Sequence, residues 1–243
     1  EVGLNFPAKL GYFLDYTQRE LIDVYGEGPV FSGGLQVTTT LDSEMQAYAE
    51  EAVANRLNDP GGPAAALVAI DPRDGAVRAM YGGKNFATSK VNLATGDGGS
   101  GRQAGSAFKP FTLAAAMEQG YSLDSQWYGP SPITIQDPEC YTDGAPWELS
   151  NADDSESGTF TLLSATTHSV NTVYAQVASA VTPKAIVDVA GRMGIRSPLE
   201  PVCSITLGTE AVTPLEMTNA YATLAARGWR HRASPLQRVD TAD

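Results

Sequence analysis

Apolar positions recur at a mostly helical spacing from Lys9 to Tyr25, at Leu10, Phe13, Leu14, Leu21, Ile22 and Tyr25, and predict a helix that Gly26-Glu27-Gly28-Pro29 stops. Beyond Gly33-Gly34, the β-branched run Leu35 to Thr40 predicts a short strand. Ser43 with Gln46 three residues later has the form of a capping box, and Met45, Tyr48, Ala49, Ala52 and Leu57 supply the apolar stripe of the helix it opens. Asn58-Asp59-Pro60-Gly61-Gly62-Pro63 ends that helix and reads as a domain boundary. A hairpin follows: the apolar run Ala65 to Ile70, turn chemistry at Asp71-Pro72-Arg73-Asp74-Gly75, and a second strand from Ala76 to Tyr81.

Past the hairpin the pattern weakens. Residues 82–105 are rich in Gly, Asn and Ser and predict an irregular segment leading to a site. A helix is expected from about Ser106 to Glu118, stopped by Gly120, and then a loop over 121–158, which holds four prolines and the acids Asp153, Asp154 and Glu156. Helical spacing returns from Thr161 to Ala180, with a break at His168 to Asn171. Thr182-Pro183 and Thr213-Pro214 each place a cap before a first-turn proline, and Gly194 and Gly228 sit where C-terminal glycines belong. Two early strands among many helices predict a sheet covered by helices, an α/β fold of the α+β type.

Composition narrows the chemistry. The 243 residues suffice for one large domain or two small ones. Lys plus Arg number 16 against 28 Asp plus Glu, a formal charge of −12, which argues against nucleic acid because a phosphate backbone is bound by clustered cations. No stretch approaches the roughly 18 apolar residues of a membrane span, so none is expected in this segment, and Glu1-Val2-Gly3-Leu4 does not read as a signal peptide. Two cysteines exclude a four-thiolate zinc site, and two histidines make a His-rich metal centre or a Ser-His-Asp triad hard to build. No metal and no cofactor is expected.

The informative segment is Arg102-Gln103-Ala104-Gly105-Ser106-Ala107-Phe108-Lys109-Pro110-Phe111. Ser106 and Lys109 are three apart and share a face if a helix begins here. A serine hydroxyl becomes a nucleophile when a neighbour takes its proton. A lysine can do so only while its amine is neutral, a state favoured by apolar burial and a second cation. A helix start also presents unpaired N–H groups and a partial positive charge, which favour an oxyanion formed when the serine attacks a carbonyl. The plain alternative is an N-cap serine beside a solvated lysine. The preceding glycine, the flanking Phe108 and Phe111 and the Gly-rich approach favour the catalytic reading. Ser169-Val170-Asn171 is the second candidate. Residues two apart do not face each other on a helix, so joint use requires a turn, and helix-poor Thr166, Thr167 and His168 permit one. A hydroxyl and a carboxamide there would relay a proton and hold a substrate amide. Taken alone, the pair reads as two polar residues on an amphipathic helix, and it counts only as the second member of a set with Ser106.

With these residues in place, the chain resembles the transpeptidase region of class A penicillin-binding proteins, bifunctional enzymes that polymerise and cross-link peptidoglycan. S-x-x-K with a Ser-containing triplet and K-T-G is that superfamily's signature. Gly33-Gly34-Leu35 with Thr38-Thr39-Thr40-Leu41-Asp42, and Ala69-Ile70-Asp71-Pro72 through Met80-Tyr81-Gly82-Gly83, resemble the family's opening strands. Arg102 to Phe111, Pro146-Trp147 with Asn151, and Leu207-Gly208 through Val212-Thr213-Pro214-Leu215-Glu216-Met217 also fit, and residues 6–30 resemble the connector after the glycosyltransferase domain.

The resemblance implies an antiparallel sheet covered by helices on both faces, with a helical lead-in. It implies a connector over residues 1–33, following a glycosyltransferase domain that is absent here, and a penicillin-binding transpeptidase domain over 34–243. Ser106 would be the acylated nucleophile, Lys109 its proton acceptor, Ser169 the donor to the leaving group and Asn171 the holder of the stem-peptide amide. The partners implied are peptidoglycan stem peptides ending in D-Ala-D-Ala and β-lactam antibiotics, and the implied setting is the extracytoplasmic face of a bacterial membrane.

The sequence departs from the pattern in having no Lys-Thr-Gly or Lys-Ser-Gly, and Val239-Asp240-Thr241-Ala242-Asp243 ends where a strand is due. A companion C-terminal fragment carrying K-T-G is therefore expected, and no membrane anchor precedes residue 1. Outside the cytoplasm Cys140 and Cys203 would form a disulfide; two buried thiols are the alternative. Trp147 either lines the cleft near Asn151 or belongs to the core, and nothing requires His168 to be catalytic. The acids at 153–156 read as a solvated loop. Two rivals remain: a serine β-lactamase, disfavoured because Glu148-Leu149-Ser150-Asn151 precedes Ser169, and a non-catalytic peptidoglycan- or partner-binding domain.

Overall fold

The computed structural model describes residues 10–57, 59, 61–99, 101–153 and 157–240. Its elements are α1 (Gly11–Tyr25), α2 (Glu27–Ser32), β1 (Gln36–Thr39), α3 (Ser43–Arg56), β2 (Leu67–Ile70), β3 (Val77–Tyr81), β4 (Arg102–Gln103), α4 (Lys109–Glu118), β5 (Gln126–Gly129), β6 (Ile133–Ile135), β7 (Trp147–Leu149), β8 (Gly158–Thr161), α5 (Leu162–Thr167), α6 (Asn171–Val181), α7 (Pro183–Met193), β9 (Ala211–Val212), α8 (Pro214–Ala225) and β10 (Leu236–Asp240). Two units arise, one from Glu1–Gly101 with Thr213–Asp243 and the other from Arg102–Val212. The chain thus divides near 101 and 212 and not at the expected boundary over 58–63, of which Asn58 and Pro60 lie outside the described residues.

In the first unit β2 and β3 form the expected antiparallel hairpin, closed by Asp71 N–H donating to the Ala76 carbonyl at 2.9 Å. β1 pairs antiparallel with β10, and a bridge between Ala76 and Ser234 joins the two ladders. Helices α1 and α3 pack on β3 and α8 packs on β2, around a core of Phe13, Tyr16, Val77, Met80, Ala94 and Ala233. α1 ends at Tyr25 before Gly26 at φ +78°, as expected, and a short α2 then forms around Pro29, because a first-turn N–H has no helical partner to lose. Two local expectations need correction. Asp42, and not Ser43, caps α3, its carboxylate accepting from the N–H groups of Glu44 and Met45. The apolar stripe also fails, since Met45 and Tyr48 are exposed while Gln46 is buried. The Gln46 amide bonds the backbone of Met80 in both directions, at 2.9 and 3.2 Å, so α3 is docked by a side chain that mimics a neighbouring strand.

In the second unit α4, α6 and α7 pack together, burying Phe108, Phe111, Val173, Val177 and Ile186 completely. The region expected to be a loop holds β5, β6 and β7, with β5 paired to β8 and β6 to β7, both antiparallel. Strands of three or four residues separated by prolines are too short for alternation to show. Asp154 and Glu156 of the acid run lie outside the described residues. The helical break stands where expected, between α5 and α6. The five ladders are each antiparallel and two-stranded, in the mixed helix and strand arrangement anticipated, and the bridge between Ala76 and Ser234 is parallel.

Candidate active site

The site lies wholly within the second unit. Gly105 adopts φ +59°, and Gly105–Phe108 form a 3-10 turn that runs into α4 at Lys109, with Pro110 in its first turn. Side chains at i and i+3 of a 3-10 turn eclipse, so Ser106 and Lys109 stand side by side. Phe108 and Phe111 are fully buried and anchor this junction, their ring centroids 4.5 Å apart. Ser106 is exposed, whereas Lys109 is only 3% exposed, with Nζ 3.1 Å from Ser106 Oγ.

The second arm is the turn between α5 and α6. Thr161 caps α5, and after Thr167 the chain passes through His168, Ser169 at φ +59° and Val170 before α6 begins at Asn171. Ser169 N–H donates to Thr166 O and Val170 N–H to Ala165 O, at 3.1 and 2.9 Å. This reversal turns Ser169 and Asn171 to the same amine: Lys109 Nζ lies 2.6 Å from Ser169 O, 2.9 Å from Ser169 Oγ and 2.7 Å from Asn171 Oδ1. Asn171 Nδ2 donates to Ser150 O at 3.3 Å, which fixes the amide's orientation.

Counting protons shows what this arrangement permits. Ser169 O and Asn171 Oδ1 can only accept, whereas the two hydroxyls can donate or accept. An ammonium satisfies both obligate acceptors and one hydroxyl. A neutral amine keeps two N–H bonds for the same acceptors and turns its lone pair to a hydroxyl proton. Both protonation states of Lys109 therefore fit one geometry, as a group that takes and returns a proton requires.

Other residues hold this set in place. A Cβ on Gly208, at φ +67°, would stand 2.3 Å from Gly105 O, so only glycine lets that backbone lie against the residue preceding Ser106. Gly208 follows the 3-10 turn Cys203–Leu207, where Thr206 bonds Thr112 of α4 at 2.8 Å, both fully buried. Cys203 is bonded to Cys140, with Cα atoms 5.0 Å apart. Closing a loop over 63 positions removes about 4 kcal/mol of unfolded-chain entropy in the chain-entropy model. Trp147 packs, half-buried, on the cluster of Ile135, Cys140, Ala175 and Cys203. His168 is exposed, its ring nitrogen beside Ser164. Sequence reasoning gave no role to Gly208, Asn151 or Tyr174. Asn151 is buried and accepts from Thr172 N–H at 3.0 Å, which ties β7's exit to the start of α6. Tyr174 underlies the amine. The only prior signals for these residues were the segments Leu207-Gly208 and Pro146-Trp147 with Asn151.

Known proteins resemble the chain in sequence and in fold. The family profile for the penicillin binding protein transpeptidase domain matches residues 65–239. Penicillin-binding protein 1A of Mycobacterium tuberculosis is 36% identical over 93% of the chain, and penicillin-binding protein 2D of Bacillus subtilis is 31% identical over 96%. The chain spans 28% and 33% of those two relatives. The solved structure of the PonA1 protein from Mycobacterium tuberculosis in complex with penicillin V superposes with a TM-score of 0.84 at 35% identity, covering 97% of this chain and 64% of that one.

Proposed function

The chain belongs to the penicillin-binding protein transpeptidase family, and from that membership we propose that it carries the acyl-transfer centre of a serine-type D-Ala-D-Ala transpeptidase that cross-links peptidoglycan and is acylated by β-lactams. Ser106 Oγ attacks the carbonyl carbon of the penultimate D-alanine while its proton passes to Lys109 Nζ. The oxyanion forms beside the backbone N–H of Ser106, in the 3-10 turn that leads into α4. The tetrahedral intermediate collapses, the C–N bond breaks, and the proton reaches the departing D-alanine nitrogen from Nζ through Ser169 Oγ. Asn171 holds the stem-peptide amide. An amine of a neighbouring peptide then attacks the acyl-enzyme and reverses the proton path. In a β-lactam the leaving nitrogen stays tethered to the acyl group, so the serine remains blocked.

The observation that carries this reading is one buried amine within 3.1 Å of two serine hydroxyls from different turns. The K-T-G wall of the cleft is not among these 243 residues, and the proposal assigns it to a companion C-terminal segment. Residues 1–33 serve as connector and 34–243 as transpeptidase domain, working on the extracytoplasmic side of the membrane. No helix among the described residues is long and apolar enough to cross a membrane. Intact-mass analysis of the full polypeptide as encoded, with and without penicillin, tests the assignment. One adduct of the whole antibiotic is expected, and none on Ser106→Ala. An adduct retained by that variant would overturn it.

A further inference from the structure

We infer that Tyr174 and Thr166 form a clamp that positions Lys109 and the Ser169 turn for acyl transfer, which makes Tyr174 a positioning residue of this centre. The inference rests on the reading of Lys109 as the proton acceptor. A serine at positive φ is held only where its surroundings over-determine it. The N–H groups of Ser169 and Val170 bond back to α5, while the Val170 carbonyl accepts from the Tyr174 N–H of α6 at 3.2 Å. The side-chain bond that spans the turn is Thr166 Oγ1 to Tyr174 Oη, 2.7 Å, joining the last turn of α5 to the first turn of α6.

Its direction follows from the proton count. Thr166 Oγ1 also lies 2.7 Å from Leu162 O, a carbonyl that can only accept, so the threonine proton is used there. The Tyr174 hydroxyl is then the donor to Thr166. Tyr174 is fully buried, and burial pushes its pKa up, which keeps the phenol protonated and able to donate.

The same side chain reaches the amine. Lys109 Nζ stands 5.4 Å from the centroid of the Tyr174 ring, within range of a cation–π contact. Tyr174 is three residues after Asn171 in α6 and shares its face, so the ring supports the amine from the side that presents Asn171 Oδ1. One residue thus fixes both the turn, through its hydroxyl, and the amine, through its ring. If the hydroxyl tie is lost, the Ser169 turn drifts from Nζ, while Asn171, held by its own bond to Ser150 O, stays in place.

The test uses the full polypeptide as encoded and separates reversible penicillin binding from the acylation rate constant. Tyr174→Phe and Thr166→Val should each slow acylation about 5–10-fold, the effect of one buried hydrogen bond, with reversible affinity within about twofold. The double variant should be no slower than about twofold beyond either single change, because both remove the same bond. Thr166→Ser, which keeps the hydroxyl, should restore the rate. Unchanged acylation in Tyr174→Phe, or Thr166→Ser as slow as Thr166→Val, would overturn the clamp. Should Tyr174→Phe fail to fold, the two threonine variants decide by the same criterion. A wild-type chain that never acquires penicillin on Ser106 would overturn the functional reading and the clamp with it, whereas a normal adduct with unaffected variants would overturn the clamp alone.

Discussion

Two turns converge on Lys109, and each reverses through a residue at φ +59°: Gly105 in the first, Ser169 in the second. In the first the bend is delegated to a glycine, for which the left-handed conformation carries no steric penalty, and the functional serine follows it. In the second the functional serine is itself the bent residue, at a cost of about 1–2 kcal/mol. The first arm is therefore a local construction: a glycine, a 3-10 turn, and a lysine one turn on. The second depends on bonds from elsewhere, including those that Lys109 sends to Ser169 O and Oγ. Where a site side chain also bears the backbone bend, its position is only as good as the contacts around it.

Removing Lys109 should expose that difference most strongly. Lys109→Ala takes away the proton acceptor, and acylation should fall by about 10²–10⁴-fold, as measured with a chromogenic penicillin. Amide hydrogen exchange should quicken at Ser169 and Val170, which lose an anchoring amine, and change little across Gly105–Phe108. Equal loosening of both turns would contradict the division into a local and a dependent arm.

The next effect separates chemistry from strain. Ser169→Gly deletes the relay hydroxyl, so acylation should slow by roughly 10²-fold. Yet the melting temperature should hold, because relief of the left-handed penalty, about 1–2 kcal/mol, offsets the lost hydrogen bond and the added freedom of a glycine in the unfolded chain. A clear drop in melting temperature on calorimetry would mean that the serine is not strained.

This contrast also marks what could be read in advance. Ser106 and Lys109 were legible because their relation is a spacing rule of one turn. The break before Asn171 was legible from Thr166, Thr167 and His168, three poor helix formers in a row. The residue within the break that takes positive φ was not, since nothing in Ser-Val-Asn names it; the decision belongs to Lys109, some 60 positions earlier. Gly208 was equally hidden, because its need for glycine comes from Gly105, across the second unit. Gln46 resembled a capping residue for a similar reason: its partner, Met80, lies 34 positions away. Local chemistry wrote the helices, the hairpin and half of the site, while long-range contact wrote the other half.

The smallest expected effect is the mirror of Ser169→Gly. Gly105→Ala imposes the left-handed penalty on the arm now free of it. A Cβ there meets no atom within 4 Å, so no clash adds to the conformational term. Alanine at this φ costs about 1–2 kcal/mol, from which about 0.4–1 is regained by restricting the unfolded chain, leaving a loss near 1 kcal/mol. In a protein of this size that is a fall of roughly 2–4 °C in melting temperature. Acylation should drop by no more than a few-fold, provided that Gly105 N–H keeps its bond to Gly208 O and so keeps Ser106 beside Nζ. A far larger loss of acylation at this modest loss of stability would show that the first arm, too, relies on distant support, with Gly208 as its counterpart to Tyr174.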